Sequence, residues 1–254
     1  GFTGSNRVGR HISALCGKHT KRYCLEMGGK NPLIILKDAE INPAVQASIV
    51  GAFLYQGQIC MAASRIYVET AIQEEFQSRF IATAQKLGMG DLRDPATMIG
   101  PIIHEGQRNR IREHVADAVS KGAKILCGGN WRENRFEPTV LTDVRDDMLI
   151  SHEETFGPVT TIHSVDTADD ALKLANQSRH GLSASVYTSN LSQAMRFADE
   201  LEAGMVHING TTIQDEPHVP FGGVGDSGFG RESTDPDVSE FTEWKWVTIQ
   251  HQQH

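Results

Sequence analysis

Short apolar runs that alternate with helical stretches constrain this chain more than any other feature. Val159–Val165, residues 184–188 and Met205–Ile208 read as strands, and the stretches between them, 168–177 and 191–201, read as helices. Residues 33–36, 65–68 and 138–141, with Lys124–Cys127, read as further strands. Two longer helices are predicted. Residues 71–87 put Phe76, Phe80, Ala84 and Leu87 on one face, and residues 107–121 turn Ile111, Val115, Ala118 and Val119 inward, with Gly122 as a stop. Strands separated by helices at this spacing imply an α/β fold, a mostly parallel sheet covered by helices. With 254 residues and 39% hydrophobic content, the chain can bury a sizeable core as one large domain or one and a half. No internal repeat or low-complexity tract interrupts it.

The formal net charge of −8 argues against a nucleic-acid partner. No window approaches the ~20 apolar residues of a membrane helix, so no membrane association is expected. Cys16, Cys24, Cys60 and Cys127 lie far apart without paired spacing. Neither a disulfide framework nor a metal cage is expected, and a reducing cytoplasm is the simplest setting.

One of these cysteines stands apart. Residues 43–55 carry Val45, Ile49, Ala52 and Phe53 at roughly helical spacing, and Gly57 should break that helix and leave the Cys60 thiol on a turn. A thiol of ordinary pKa supplies little thiolate at neutral pH, so a catalytic cysteine needs help from its surroundings. Glu26, in Leu25-Glu26-Met27-Gly28-Gly29-Lys30-Asn31-Pro32, is the acid best suited to stand beside it. The two glycines allow a tight turn, and Pro32 restricts Asn31 to an extended form. Taken alone, Cys60 reads as a small core hydrophobe, Glu26 as an exposed acid and Ser5 as an ordinary helix cap.

The segments together say more. Gly57-Gln58-Ile59-Cys60 resembles the nucleophile motif of the NAD(P)-dependent aldehyde dehydrogenases, and Leu25-Glu26-Met27-Gly28-Gly29-Lys30 resembles that family's general-base motif. Phe2-Thr3-Gly4-Ser5, Glu153-Glu154-Thr155-Phe156-Gly157-Pro158, and Pro220-Phe221-Gly222-Gly223 running on to Ser227-Gly228-Phe229-Gly230-Arg231-Glu232 match further family motifs in the family's order. By resemblance, Cys60 attacks an aldehyde carbonyl to give a thiohemiacetal and then a thioester. Glu26 then activates the water that hydrolyses the thioester, and the Cys60 backbone N–H contributes to holding the oxyanion. Gly4, Ser5, Gly9 and Met27 would contact the cofactor from one side, and Glu154 and Phe156 the nicotinamide ribose from the other. The cofactor is NAD or NADP, with NAD preferred.

The resemblance also implies an architecture. Family members are about twice this long, so the chain is expected to be a C-terminal portion. Residues 1–27 would be the last piece of a Rossmann-like cofactor domain, 28–235 the catalytic domain, and 236–254 an oligomerisation strand and tail, with residues 244–250 as the strand. A homodimer or homotetramer is expected of the intact protein. Gly225-Asp226 stands where many members carry a lysine, and Val206-His207-Ile208-Asn209-Gly210 leads to Asp215-Glu216-Pro217. These features look most like the benzaldehyde, vanillin and salicylaldehyde dehydrogenase branch, so an aromatic aldehyde is the expected substrate. Two other outcomes stay open: transfer of the thioester to CoA, which the presence of Glu26 disfavours, and a chain without dehydrogenase turnover that is at most a thiol esterase, the outcome expected of these 254 residues alone because most of the cofactor domain is absent from them.

Overall fold

The computed structural model describes residues 1–250; the last part of the expected tail lies outside the described residues. Its frame is a seven-stranded sheet of β1 (Asn31–Ile35), β2 (Ala63–Glu69), β3 (Lys124–Cys127), β4 (Thr139–Thr142), β5 (Val159–Val165), β6 (Ser183–Tyr187) and β7 (Met205–Ile208). Among the described residues the helices are α1 (Asn6–Lys18), α2 (Ile41–Phe53), α3 (Thr70–Ala84), α4 (Glu105–Ser120), α5 (Leu149–His152), α6 (Ala168–Ala175), α7 (Leu191–Glu200) and α8 (Thr234–Phe241).

The strands lie in the order β7-β6-β1-β2-β5-β4-β3. Pairing is parallel from β7 across to β4, and β3 joins antiparallel, so the sheet is mixed. The cause lies in the connection. Between β3 and β4 the chain makes only a small hairpin, Trp131–Arg132 with Arg135–Phe136, and a parallel return needs a longer crossover.

Side chains alternate between the two faces of a strand, and both faces here are apolar. Leu33, Ile35, Ile66, Val68 and Ile162 pack against Phe53 of α2 and Phe76 and Phe80 of α3. The three rings stack, with centroids 5.9 Å apart for Phe53–Phe80 and 5.6 Å for Phe76–Phe80. Ile34, Leu36, Tyr67, Ala184 and Val186 pack on the opposite face against Leu172 of α6 and Phe197 of α7. A third cluster forms where Ile111, Val115 and Ala118 of α4 meet Met148, Ile150 and Val159.

One expectation is corrected. Val119 is 44% exposed, because the step of ~100° per residue carries it off the face that Ala118 buries. Within this single chain residues 244–250 pair with no other strand among the described residues, and Trp244 and Trp246 are 96% and 92% exposed. A strand exists only through its hydrogen-bonded neighbour, and among the described residues this segment has none. Before it, the Arg22 side chain donates to the carbonyls of Glu240 at 3.0 Å and Thr242 at 2.5 Å, which ties the end of α8 to the start of the chain.

A separate three-stranded sheet sets the entrance to the site. Phe2–Thr3 runs parallel to Leu25–Glu26, and Gly228–Phe229 runs antiparallel to it on the other side.

Candidate active site

The chain reaches Cys60 through an unusual backbone path. α2 stops at Phe53, four residues before the glycine expected to break it. Leu54 is extended (ψ 139°), and Tyr55 and Gln56 follow with φ of 48° and 59°. Non-glycine residues seldom adopt this left-handed conformation, and it is held where the surroundings over-determine it. Gly57 (φ 63°) completes the bend at the one place where a side chain has no room, since a Cβ there would strike the carbonyl of Gly157. That contact seats the cysteine loop against the loop of Glu154 and Phe156.

Cys60 then sits on a turn closed by the Ala62 N–H donating to the Ile59 carbonyl (3.0 Å). Asn31 pins this turn to the sheet. Its Nδ2 donates to the carbonyls of Cys60 (2.8 Å) and Ala62 (2.9 Å), and its Oδ1 accepts from the Ser183 N–H (3.1 Å). Pro32, by keeping Asn31 extended, fixes where that amide points. The thiol is partly buried, and its pKa is pushed up to about 11 by that burial, then by the carboxyls of Glu154 and Glu26. The backbone N–H groups of Met61 and Cys60 aim at the sulfur and pull the other way. The described residues thus bring a thiol and two carboxyls together but hold the thiol protonated, the opposite of an activated cysteine.

Glu26 is 3% exposed, and neither carboxyl oxygen has a hydrogen-bond partner among the described residues. Burial raises its pKa to about 8, with a further push from Glu232 and a smaller pull from Arg231. Arg231 spends its Nη1 on the carbonyls of Gly223 (2.9 Å) and Gly230 (2.7 Å) instead of on the carboxyl. The close wall is Gly222, where a Cβ would stand 2.7 Å from Oε1. A carboxyl so placed is a proton acceptor of near-neutral strength, enclosed by the surrounding chain.

The remaining candidates frame this pair. Glu154 Oε1 accepts the Gly29 N–H at 3.1 Å while Gly28 leaves no room beside the carboxyl, and burial raises the Glu154 pKa. Phe156 is partly exposed with φ 53°, held there by Gln107 Nε2 donating to the carbonyls of Thr155 (2.6 Å) and Phe156 (2.9 Å). Ser5 caps α1 with its backbone alone, making no side-chain cap hydrogen bond, and Gly4 and Ser5 are exposed. Gly9 is buried, because a Cβ there would collide with the sulfur of Met27. These two residues therefore form the contact between α1 and the Glu26 strand.

Several residues act here that sequence reasoning did not single out. Ser227 Oγ donates to the Gly28 carbonyl (2.8 Å) and accepts the Gly181 N–H (3.0 Å), and its carbonyl accepts the Met27 N–H (2.8 Å). Lys30 is buried with its Nζ unpartnered among the described residues. Burial, then Arg65, lowers its pKa to about 7. The readable signal was a polar residue inside a Gly-rich stretch, where a buried amide or hydroxyl must find its bonds locally. A cleft of about 590 Å³ bounded by Tyr67, His163 and Gln177 includes neither Cys60 nor Glu26 and is not the reaction site.

The profile of the aldehyde dehydrogenase family matches residues 1–247. The chain belongs to that family. It is 43% identical over 251 residues to a benzaldehyde dehydrogenase of Bacillus subtilis, a match covering 99% of this chain and 52% of that protein. The crystal structure of a salicylaldehyde dehydrogenase from Pseudomonas putida G7 complexed with salicylaldehyde superposes with a TM-score of 0.94 at 42% identity, over 100% of this chain and 53% of that one. A betaine aldehyde dehydrogenase from Staphylococcus aureus in complex with NAD+ gives 0.91 at 36% identity, over 94% and 49%. The chain therefore spans about half the length of the relatives it matches. Among the described residues no helix is long and apolar enough to cross a membrane.

Proposed function

We propose that this chain carries the nucleophile and base of an enzyme that oxidises an aldehyde, preferably aromatic, to the carboxylic acid with NAD or NADP. The observation that carries the reading is the convergence of a thiol with a buried carboxyl whose two oxygens lack partners. The names of the relatives support the aromatic substrate, and a neighbour with bound NAD+ supports NAD first.

In this reading Cys60 Sγ bonds to the carbonyl carbon as the S–H bond breaks and its proton passes to solvent water. The negative charge gathers on the former carbonyl oxygen, within reach of the backbone N–H groups around the sulfur. Nicotinamide, when bound, supplies the acceptor for the hydride that leaves that carbon. Glu26 then takes a proton from water as the water oxygen adds to the thioester carbon. The C–S bond breaks, the departing sulfur takes the proton that Glu26 holds, and the carboxylic acid is released with the Cys60 thiol and the Glu26 carboxylate restored. The residues present fit such a cofactor. Glu154 keeps a carboxyl oxygen beyond its bond to Gly29 for ribose hydroxyls, Phe156 lies beside it, and the start of α1 offers Gly4 and Ser5 to an anion. Residues 1–27 would form one edge of the cofactor site, and the catalytic domain would follow from residue 28. Exposed Trp244, Trp246 and Ile249 support a homodimer or homotetramer through residues 244–250.

Aldehyde-dependent reduction of NAD or NADP by the purified protein, with mass-spectrometric trapping of an acyl group on the Cys60 peptide, tests the proposal. Cys60→Ala should abolish both while leaving cofactor binding intact. Retention of more than a few per cent of turnover would remove Cys60 from the mechanism.

A further inference from the structure

Gly225-Asp226, the pair that stands where many family members carry a lysine, makes a turn that ties α1 to the rest of the chain. Val224 and Gly225 pair antiparallel with Gly181 and His180. Gly225 (φ 58°) then bends the backbone where a Cβ would stand 2.7 Å from the Arg179 carbonyl, so the bend requires glycine. The Asp226 N–H donates to that same carbonyl at 2.9 Å, and its carboxylate is carried between two arginines. Asp226 Oδ2 lies 2.6 Å from Arg10 Nη2 and 3.3 Å from Arg179 Nε. Asn6, one helical turn before Arg10 on the same face of α1, donates its side-chain amide to the Asp226 carbonyl.

Both ends of this tie reach groups that face the proposed cofactor site. On one side, Asn6 opens α1 directly after Gly4 and Ser5. On the other, Ser227 Oγ donates to the Gly28 carbonyl at 2.8 Å, Gly28 closes on the Glu154 carboxyl, and the Gly29 N–H donates to Glu154 Oε1 at 3.1 Å. Little else fixes the helix. Gly9 is the one buried residue of α1, and Ser5 makes no side-chain cap bond. The charges matter as well. An acid bonded to the first residue of a helix would repel an anion arriving at that end, and the two guanidinium groups offset it.

We propose that Asp226 is a positioning residue for the dinucleotide: by holding Asn6 and Arg10 it sets the start of α1, the pyrophosphate end of the site, relative to Glu154, the nicotinamide-ribose end. The inference deepens the proposed aldehyde oxidation and rests on it.

Amide hydrogen exchange of the 254-residue chain reads the tie without any ligand. Asp226→Asn and Arg10→Met should each speed exchange in α1 about fivefold, near the upper limit for an ion pair whose guanidinium is 62% exposed, and leave β1 and β2 unchanged. The double variant should exchange no faster than the faster single one, and Asp226→Glu should recover most of the protection. In the intact protein the same substitutions should raise the KM of NAD by a similar factor with kcat within about twofold. At about 1 M salt, where screening acts over about 3 Å, both differences should shrink. Unchanged exchange in α1, or effects that simply add in the double variant, would overturn the tie; kcat falling as far as KM rises would overturn the positioning role. Against a variant that fails to fold, the wild-type chain decides, since its α1 exchange should quicken with salt while β1 and β2 hold, and an indifferent helix overturns the proposal. If intact wild-type protein binds no NAD, the oxidation reading itself fails, and exchange alone judges the tie.

Discussion

Without any ligand, the Cys60 thiol should react slowly with alkylating agents, at a rate the structure sets. Burial and the carboxyls of Glu154 and Glu26 move its pKa from 9.0 to about 11, which leaves roughly a hundredth of the thiolate of an unperturbed cysteine at about pH 8. The more basic thiolate is also the better nucleophile. With a Brønsted coefficient of ~0.4–0.5, it regains about tenfold, for a net reaction roughly tenfold slower than that of a free thiol. Burial is the largest cause and the Glu154 carboxyl the next, so Glu154→Gln should accelerate labelling, about threefold if it lowers the pKa by about one unit, while its amide oxygen still accepts the Gly29 N–H. The assay is iodoacetamide labelling of the 254-residue chain across pH, quantified on the Cys60 peptide. The logarithm of the rate should rise linearly with pH up to about pH 10. Cys24 and Cys127, both buried and also pushed up to about 11, should label more slowly still. A plateau near neutrality, or no response to Glu154→Gln, would refute the picture of a protonated thiol facing two carboxyls.

Glu26→Gln should leave a rapid burst of reduced cofactor followed by slow turnover, seen by rapid mixing; loss of the burst would mean that Glu26 is needed before hydrolysis. In the wild type, turnover limited by hydrolysis should climb as pH rises through about 8, where Glu26 loses its proton, and Glu26→Gln should erase that limb. Gly57→Ala should destabilise the fold by about 1–3 kcal/mol in urea melts, since φ of 63° and the Gly157 carbonyl both oppose a side chain; a neutral result would show that the bend can relax. Acid should destabilise the chain early. His114, His163 and His180 are held down to about 4 by burial, so their stability is lost as pH falls from 6.5 through about 4. Glu26, raised from 4.5 to about 8, acts oppositely, losing its share as pH rises through 8. Among these four groups, between 4.5 and 6.5 unfolding therefore takes up as many as three protons against one released, and urea midpoints that stay flat there would contradict the histidine environments.

What was legible in the sequence depended on how local its cause is. Val159–Val165, Lys124–Cys127 and Met205–Ile208 are strands with the bounds read from their residues, because apolar runs bounded by turn formers carry their own signal. The two-residue strands Phe2–Thr3, Leu25–Glu26 and Gly228–Phe229 exist only through pairing between distant segments, and no window of sequence contains that pairing. The end of α2 was misplaced for a related reason. Tyr55 and Gln56 have no intrinsic preference for positive φ, and the Gly57–Gly157 contact imposes it from outside. Residues 244–250 alternate like a strand, and alternation says which side chains share a face without supplying the neighbour that makes a strand. At the site, Cys60 and Glu26 could be singled out by motif. The Asn31 amide that orients the cysteine turn, and Ser227, could be recognised only once their bonds were visible.

The two central pKa values also bear on how the chemistry must start. Moving the thiol proton of Cys60 (about 11) to Glu26 (about 8) is uphill by three units, on the order of 4 kcal/mol. No nearby cation among the causes of the Cys60 shift lowers that difference; the favourable contributions come from the N–H groups of Met61 and Cys60. A resting thiol of this kind is protected from oxidation and adventitious alkylation. It also makes ionisation of Cys60 the step most sensitive to what enters the site, because any ligand that brings a donor or positive charge to the sulfur lowers a cost the chain bears unaided. In the proposed mechanism Glu26 faces the converse demand: it would have to be ionised to take a proton from water, and the same burial that makes it a strong enough base keeps it protonated at neutral pH. Burial is the first cause of both resting states, so a change that wets both groups should lower both pKa values together. A change in charge alone, such as Glu232→Gln, should act on Glu26 and leave Cys60 nearly unmoved, because Glu232 appears among the causes for the first and not for the second.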